Sequence, residues 1–169
     1  MPTWIDSLAH EVALREKRTP SVAEIALRCA SRTDEPALYR VHREAMIAYV
    51  DATWGWDETW QREHFANTFS PRRNAIVVRA NPGSAPLGRI SITRHWRSIF
   101  LRDIELAPEL RNRGIGGALL DAVLALARRE HKSVELHVLR CNPAQRLYVR
   151  RGFEVTSADD ARLTMRAQP

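Results

Sequence analysis

The residues best placed to do chemistry lie in the range Asp103–Gly117, which reads Asp-Ile-Glu-Leu-Ala-Pro-Glu-Leu-Arg-Asn-Arg-Gly-Ile-Gly-Gly. A strand-like run stops at Pro108, a basic, glycine-rich turn follows, and a strongly periodic helix begins near Gly114. Because a strand that enters a helix through such a turn leaves several backbone N–H groups aimed at one point, the stretch predicts an anion site. Arg111 and Arg113 add positive charge, and the glycines let a phosphate approach the backbone closely.

Two common phosphate-binding loops do not fit this stretch. The chain has no Gly-x-x-x-x-Gly-Lys-Ser/Thr run, and the dinucleotide fingerprint requires a third glycine where Leu119 stands. The pattern that fits is Arg/Gln-x-x-Gly-x-Gly/Ala, with Arg111, Gly114 and Gly116 at its defined positions. On these residues the stretch resembles the acetyl-CoA pyrophosphate loop of the GNAT superfamily of N-acetyltransferases.

A second motif lies downstream, in residues 134–153. It resembles the other GNAT signature, Asn…Ala…Leu-Tyr…Gly-Phe, through Asn142, Tyr148 and the pair Gly152-Phe153. The two motifs occur in the expected order, with a helical and a strand-like stretch between them. The resemblance covers roughly residues 21–166 and implies the GNAT fold.

The elements needed to position these motifs follow from hydrophobic periodicity and turn signals. Strands are predicted at 21–32, 74–79, 86–94, 98–106, 133–139, 153–155 and 161–165, and a long helix is predicted after Gly114. We therefore expect an α/β (α+β) GNAT acyltransferase fold, with a mixed central sheet of about six to seven strands and helices on both faces. In the family the strands before and after the long helix splay apart at a bulge, which we expect near Glu105–Ala107.

Residues 1–20 are predicted to form an N-terminal helical extension, and residues 21–169 the acetyltransferase domain. Ile5, Leu8 and Val12 form an apolar helical stripe, with Thr3 as the N-cap. The sequence leaves open whether this helix packs on the domain or on a partner subunit of a homodimer.

Composition and charge limit the kinds of binding partner and the cellular compartment expected for the protein. The net charge is +6, but the arginines that carry most of the positive charge are scattered, which favours a solvated surface over a nucleic-acid interface. The chain has no run of 18 or more apolar residues, so no membrane span is expected. Acidic Asp6 and Glu11 argue against a secretory signal, and the two widely spaced cysteines fit a reducing cytoplasm. The spacing of histidines and cysteines predicts no metal site.

The resemblance implies acetyl-CoA as the co-substrate. The N–H groups of residues 112–118 are expected to hold its pyrophosphate, and the strand edge at Ile104–Leu106 is expected to bond its pantetheine amides as an added strand would. The expected cofactor-binding residues are Ile104, Glu105, Leu106, Arg111, Asn112, Arg113, Gly114, Ile115, Gly116, Gly117, Ala118, Asn142 and Tyr148.

Acetyl transfer to an amine calls for a proton acceptor and for help to the departing thiolate. By resemblance, the Tyr148 hydroxyl lies near the thioester sulfur and acts as the acid. Glu105 and His137 are each out of phase with the apolar residues of their strands, so both are candidate bases. A base relayed through water remains an alternative.

Three tryptophans within residues 51–61 bear on the acceptor. By resemblance, this helix–loop–helix region binds the acceptor amine. Trp54 and Trp56 are the candidate substrate-binding residues, since a rigid aromatic wall orients a small molecule. Trp60, on the following helix, is expected in the core.

The sequence thus predicts an enzyme that transfers an acetyl group from acetyl-CoA to a primary amine of a small molecule. One alternative is an acetyltransferase for protein lysine or N-terminal amines, which needs an open groove for a peptide. The other is a non-catalytic acyl-CoA-binding module, for which Tyr148 would be dispensable.

Overall fold

The computed structural model describes residues 3–81 and 83–169, which form five α-helices and seven strands within those ranges. In chain order they are α1 (Trp4–Ala13), β1 (Ile25–Cys29), α2 (Glu35–Trp54), α3 (Glu58–Thr68), β2 (Asn74–Arg79), β3 (Gly88–Arg94), β4 (Ser98–Leu106), α4 (Ile115–Arg129), β5 (Ser133–Leu139), α5 (Gln145–Arg150), β6 (Glu154–Ala158) and β7 (Arg162–Ala167).

The seven strands form one mixed sheet in the order β1-β2-β3-β4-β5-β7-β6. Every neighbouring pair is antiparallel except β4 and β5, which run parallel on either side of the α4 crossover. A parallel pair requires such a crossover, because its strands cannot be joined by a hairpin. The predicted α/β class and strand number are confirmed.

Strands β4 and β5 pair only at their beginnings. The parallel register runs from Ser98↔Ser133 to Leu101↔Leu136 and then stops, although β4 continues to Leu106. Beyond Leu101, one edge of β4 faces an opening in the sheet rather than a neighbouring strand.

The bulge in β4 lies at Arg102, so the position expected from the family, near Glu105–Ala107, was wrong. The pairing with β3 passes from Ile92↔Leu101 to Ser91↔Asp103, which leaves Arg102 as the extra residue. An extra residue exchanges the faces to which successive side chains point. Leu101 and Ile104 therefore belong to the same hydrophobic cluster, although they are three positions apart.

Helices cover both faces of the sheet. The larger cluster joins α1 and α4 to one face, where Ala75 and Val77 of β2 point. The smaller cluster contains Leu38 and Tyr39 of α2, Phe65 of α3 and Phe69 just after α3, and it packs on Ile76 and Val78 of the same strand. This alternation along β2 is the two-residue period of a strand covered on both sides.

The beginning of the chain differs in part from the sequence prediction. Residues 20–24 form a 3₁₀ turn, so β1 starts at Ile25 and is shorter than the predicted strand at 21–32. Before it, Thr3 caps α1, and its side chain and that of Asp6 satisfy each other's backbone N–H groups. Leu8 is fully buried within the cluster that contains α4. The described part of the N-terminal extension therefore packs into the main core, while the division at residue 20 stays a prediction.

None of the helices in the described ranges is both long and apolar enough to cross a membrane.

We predict that replacing Leu8 by alanine lowers the free energy of unfolding by about 3–5 kcal/mol, because a buried leucine leaves a cavity when truncated. Urea unfolding measures this loss. Leu14→Ala is the matched control, since Leu14 follows the same helix and is 62% exposed, and it should change stability by less than about 0.5 kcal/mol. Equal effects of the two substitutions would show that α1 is not packed on α4 as described.

Candidate active site

The turn between β4 and α4 has the backbone geometry of an anion site. Asn112 and Gly114 both adopt left-handed conformations, with φ of 56° and 79°. The backbone N–H groups of residues 112–117 donate to no acceptor within the described residues, and the first helical bond is from the Ala118 N–H to the Gly114 carbonyl. These unsatisfied donors at the N-terminus of a 15-residue helix attract a phosphate.

The two arginines of this turn have different roles. Arg111 donates from Nε to the Leu106 carbonyl at 2.8 Å, and its Nη2 is buried without a partner in the described chain. A buried guanidinium donor without an acceptor indicates a missing anionic or carbonyl partner. Arg113 instead pairs with Glu24, so its charge is already partly neutralised. Of these two arginines, only Arg111 has a buried guanidinium donor without an acceptor in the described chain.

The side chains after Gly114 divide between the core and the site. Ile115 and Ala118 are buried in the main cluster, so only their backbone could meet a ligand. A Cβ added at Gly117 would lie 2.7 Å from Nη2 of Arg151, so this glycine admits a side chain from the segment after α5. A Cβ at Gly116 would make only an ordinary contact, 3.7 Å from Leu106.

Two cavities meet where β4 and β5 separate. The loop cavity, about 220 Å³, is lined by Arg111, Gly116 and Leu106 among others. The tryptophan cavity, about 350 Å³, is lined by Trp54, Phe100, His137 and Arg162 among others. Six residues line both cavities: Met46, Ile104, Glu105, Asn142, Ala144 and Tyr148. The opening therefore leads from the predicted phosphate turn to the predicted acceptor side.

Tyr148 lies at the junction of the two cavities. It packs edge-on against Phe153, with ring centres 5.7 Å apart, which fixes the ring. Its hydroxyl bonds no atom of the described residues. Burial, together with the negative charge of Asp103, raises the pKa of Tyr148 to about 12. The hydroxyl is therefore a neutral donor at every physiological pH.

Asn142, the other predicted signature residue, lines both cavities and also shapes the start of α5. Its Oδ1 accepts from the Ala144 N–H at 2.9 Å. This side-chain turn precedes the helix, which begins at Gln145.

Glu105 is held in a buried ion cluster and is poorly suited to the base role predicted for it. One carboxylate oxygen lies 2.7 Å from His42 Nδ1, and the other accepts from Arg89 Nε at 2.7 Å. Burial alone would raise the pKa of Glu105, but the charges of Arg89 and His42 outweigh burial and lower it to about 2. A carboxylate stabilised to this extent is a weak proton acceptor.

The same contact favours the protonated form of His42. Burial lowers the pKa of His42, yet the neighbouring Glu105 carboxylate reverses this effect, and the net shift is upward. The ring is only 16% exposed and packs against Phe65 and Trp56. Helix α2 is thus joined to β4 by a buried contact between His42 and Glu105.

Asp103 combines partial burial with access to the tryptophan cavity. Its carboxylate lies 3.1 Å from Nη2 of Arg89, and its side chain is 27% exposed. Burial raises the pKa of Asp103, and the adjacent Glu105 charge adds to the effect against the opposing pull of Arg89. Asp103 is therefore the more basic of the two carboxylates on this strand.

The other tryptophan and histidine residues predicted from the sequence differ in whether they line a cavity. His137 lines the tryptophan cavity and packs edge-on against Phe100, with ring centres 5.0 Å apart. Trp54 lines the same cavity but is the last residue of α2 rather than part of a loop. Trp56 does not line either cavity as described, and its indole N–H donates to Glu58 at 2.9 Å. The core position expected for Trp60 was wrong, since Trp60 is 55% exposed and stacks on His64.

Sequence reasoning missed four residues here: His42, Arg89, Asp103 and Arg162. For Asp103 a signal existed, because it shares the strand phase of Glu105. His42 and Arg89 carry no local signal, because they reach Glu105 from other elements of the sheet and helix layer.

Within residues 3–81 and 83–169, no group of three or more histidine, cysteine or acidic side chains is arranged to hold a metal ion.

Comparison with known proteins agrees with this geometry. The model of the Acetyltransferase (GNAT) family matches residues 36–153. No curated protein sequence matches the chain.

Solved structures share the fold at low sequence identity. The PaiA N-acetyltransferase of Thermoplasma acidophilum, in complex with coenzyme A, is 19% identical, with a TM-score of 0.68 over 86% of this chain and 99% of that chain. A GNAT-family acetyltransferase of Bacillus anthracis is 14% identical, with a TM-score of 0.63 over 86% and 95%. The ribosomal-protein-S18-alanine N-acetyltransferase of Escherichia coli is 18% identical, with a TM-score of 0.62 over 85% and 93%.

The family match spans more than half of the chain and includes the phosphate turn, the opening between β4 and β5, and Tyr148. The chain therefore belongs to the acetyltransferase (GNAT) family and is an acyltransferase.

Proposed function

We propose that this enzyme transfers an acetyl group from acetyl-CoA to the primary amine of a small molecule. The observation that carries the proposal is the unpartnered Tyr148 hydroxyl at the junction of the two cavities. A thioester entering from the phosphate turn and an amine entering past Trp54 would meet at this hydroxyl.

The residues present fit coenzyme A in the loop cavity. The free amides of residues 112–117 suit its pyrophosphate, and the buried Nη2 of Arg111 offers a further donor. The edge of β4 beyond Leu101 has no strand beside it on the β5 side, so its amides are available to pantetheine.

The acceptor must first lose a proton. An amine with a pKa near ~10.4 is neutral in about 1 molecule in ~2,500 at pH 7, which corresponds to about 4–5 kcal/mol. That first proton passes to water. As the C–N bond forms, the nitrogen becomes much more acidic than the free ammonium, and a nearby carboxylate then takes the second proton. We assign this role to Asp103, because its carboxylate reaches the tryptophan cavity and burial raises its pKa. His137, which lines the same cavity, is the alternative.

The C–S bond then breaks and the thiolate leaves. With a Tyr148 pKa of about 12, complete transfer of its proton to a thiolate whose thiol has a pKa near ~8.5 is uphill by about 5 kcal/mol. Tyr148 therefore acts as a hydrogen-bond donor to the developing negative charge on sulfur, and the thiolate takes its final proton from water. This role needs a neutral phenol at a fixed position, which the Phe153 contact and the raised pKa supply.

A protein N-terminus is the other acceptor class. The similar Escherichia coli structure is named as an alanine N-acetyltransferase of a ribosomal protein, and this likeness favours a protein N-terminus as the acceptor. We favour a small molecule because the tryptophan cavity has the volume typical of small-ligand sites, about 350 Å³.

The exposed free thiols of Cys29 and Cys141 support a cytoplasmic location.

A screen of amines and short peptides for CoA release tests the reaction. With acetyl-CoA present, we expect release with at least one small primary amine, and a loss of about 10²-fold in kcat for Tyr148→Phe with unchanged CoA affinity. Tyr39→Phe is the control, because its hydroxyl bonds Glu58 rather than facing either cavity. Unchanged kcat in Tyr148→Phe would exclude the proposed role. CoA binding without release by any acceptor would make the protein a binding module.

The two carboxylates of β4 should separate catalysis from stability. We expect Asp103→Asn to lower kcat by about 10²–10⁴-fold while the fold and CoA affinity persist. Glu105→Gln should lower the free energy of unfolding by about 3–5 kcal/mol at pH 7, because the buried Arg89 then faces a neutral amide in place of Glu105 and keeps only its 3.1 Å contact with Asp103. Steady-state kinetics and urea unfolding measure the two effects.

The stability effect of Glu105 carries a pH signature. Its pKa is lowered from 4.5 to about 2 on folding, so the ionised carboxylate stabilises the fold above the higher value. That contribution is lost as pH falls through the folded pKa. The difference between wild type and Glu105→Gln should therefore shrink between about pH 4.5 and pH 2. A constant difference between the two proteins across this pH range would contradict the ion cluster.

The kinetic experiment has its own contrary outcome. Full activity of Asp103→Asn would exclude Asp103 as the base and assign that role to His137.

A further inference from the structure

The charged side chains that line the tryptophan cavity differ in whether they already have ion-pair partners. Its acids already have partners, since Glu105 is bonded by His42 and Arg89, and Asp103 pairs with Arg89. Its guanidinium groups do not, because neither Arg102 nor Arg162 forms an ion pair with any residue of the described ranges. The cavity thus presents two positive charges that remain available to a ligand.

The guanidinium of Arg162 is held in a defined position. Its carbon lies 4.8 Å from the centre of the Trp54 ring, which places the cation over the aromatic face. The carboxylate of Asp159, three residues earlier, forms no direct ion pair with this guanidinium, and one of its oxygens accepts the backbone N–H groups of Ala161 and Arg162 at 2.8 and 2.6 Å. A planar guanidinium held in this way offers parallel N–H donors to a carboxylate.

We propose that the acceptor is a small amino acid-like molecule, an amine that also carries a carboxylate. This inference rests on the proposed acetyl transfer and names its substrate class. The carboxylate binds Arg162, with Arg102 adding charge, and the apolar part of the acceptor packs on Trp54 and Phe100. The amine then faces Asp103 and Tyr148, at the junction with the loop cavity.

The alternatives fit the charges less well. A simple alkylamine can meet Asp103 but leaves the guanidinium groups of Arg102 and Arg162 without an anionic partner. An amino acid carries the compensating anion within one molecule. A protein N-terminus has a peptide bond where the free amino acid has its carboxylate, and it offers Arg162 no anion unless a nearby side chain is acidic.

Matched acceptors test the inference. CoA release is measured for the common L-amino acids, for their primary amides and for the corresponding decarboxylated amines. We expect kcat/KM for the best amino acid to exceed those of its amide and its amine by at least about 10-fold, because one charge-assisted bidentate contact is lost in each comparison.

Variants locate the contact that makes this distinction. Arg162→Gln should raise KM for the amino acid about 10–100-fold with little change in kcat, and should leave kcat/KM for the amide nearly unchanged, because the contact is present in both ground and transition states. Arg166→Gln is the matched control, since Arg166 lies on the same strand and pairs with Glu135. It should leave the kinetics of both acceptors unchanged.

The possible results separate this inference from the proposed function. Equal or better turnover of amides and decarboxylated amines overturns the inference and leaves acetyl transfer standing. Preference for an acidic peptide over every free amino acid overturns it in favour of a protein acceptor. A selective effect of Arg162→Gln on the carboxylate substrate supports it. CoA binding without transfer to any acceptor would defeat both proposals.

Discussion

The structure depends on the loss of pairing between β4 and β5 after Leu101. A parallel sheet normally continues its hydrogen bonds to the ends of its strands, and ending them early leaves polar backbone groups unsatisfied. Here the bulge at Arg102 turns β4 away, while Ile104 and Leu106 still contribute to the core. The unsatisfied edge is available to a ligand, and the two cavities meet along it.

A second constraint keeps that opening in place. Arg89 of β3, His42 of α2 and Glu105 of β4 form a buried charge cluster beside the site. Removing one member of such a cluster leaves an uncompensated charge, which is far more costly than losing a surface ion pair. The cluster thus ties the α2 layer to the strand that borders both cavities. Under the proposed mechanism, it also leaves Asp103, rather than Glu105, as the carboxylate of β4 that takes the proton.

Much of this architecture follows from local patterns. The bounds of β2, β4 and β5 agree with prediction, because apolar alternation and turn residues mark them clearly. The spacing of the apolar residues in β4 also indicates the bulge. Leu101 and Ile104 are three positions apart, so they can share a face only if the strand has one extra residue between them. The prediction failed where distant parts of the chain decide the outcome. The exposure of Trp60 depends on how α3 lies on the sheet, and the charge state of Glu105 depends on side chains from β3 and α2.

The central claim is that backbone amides freed at this opening hold acetyl-CoA. The most direct measurement is a titration of the isotopically labelled protein with CoA, followed by amide NMR shifts and hydrogen exchange. The account predicts that saturable changes and slowed exchange concentrate at residues 104–106 and 112–117, with α3 little affected. No saturable change at those amides at millimolar CoA, or changes confined to other surfaces, would contradict it.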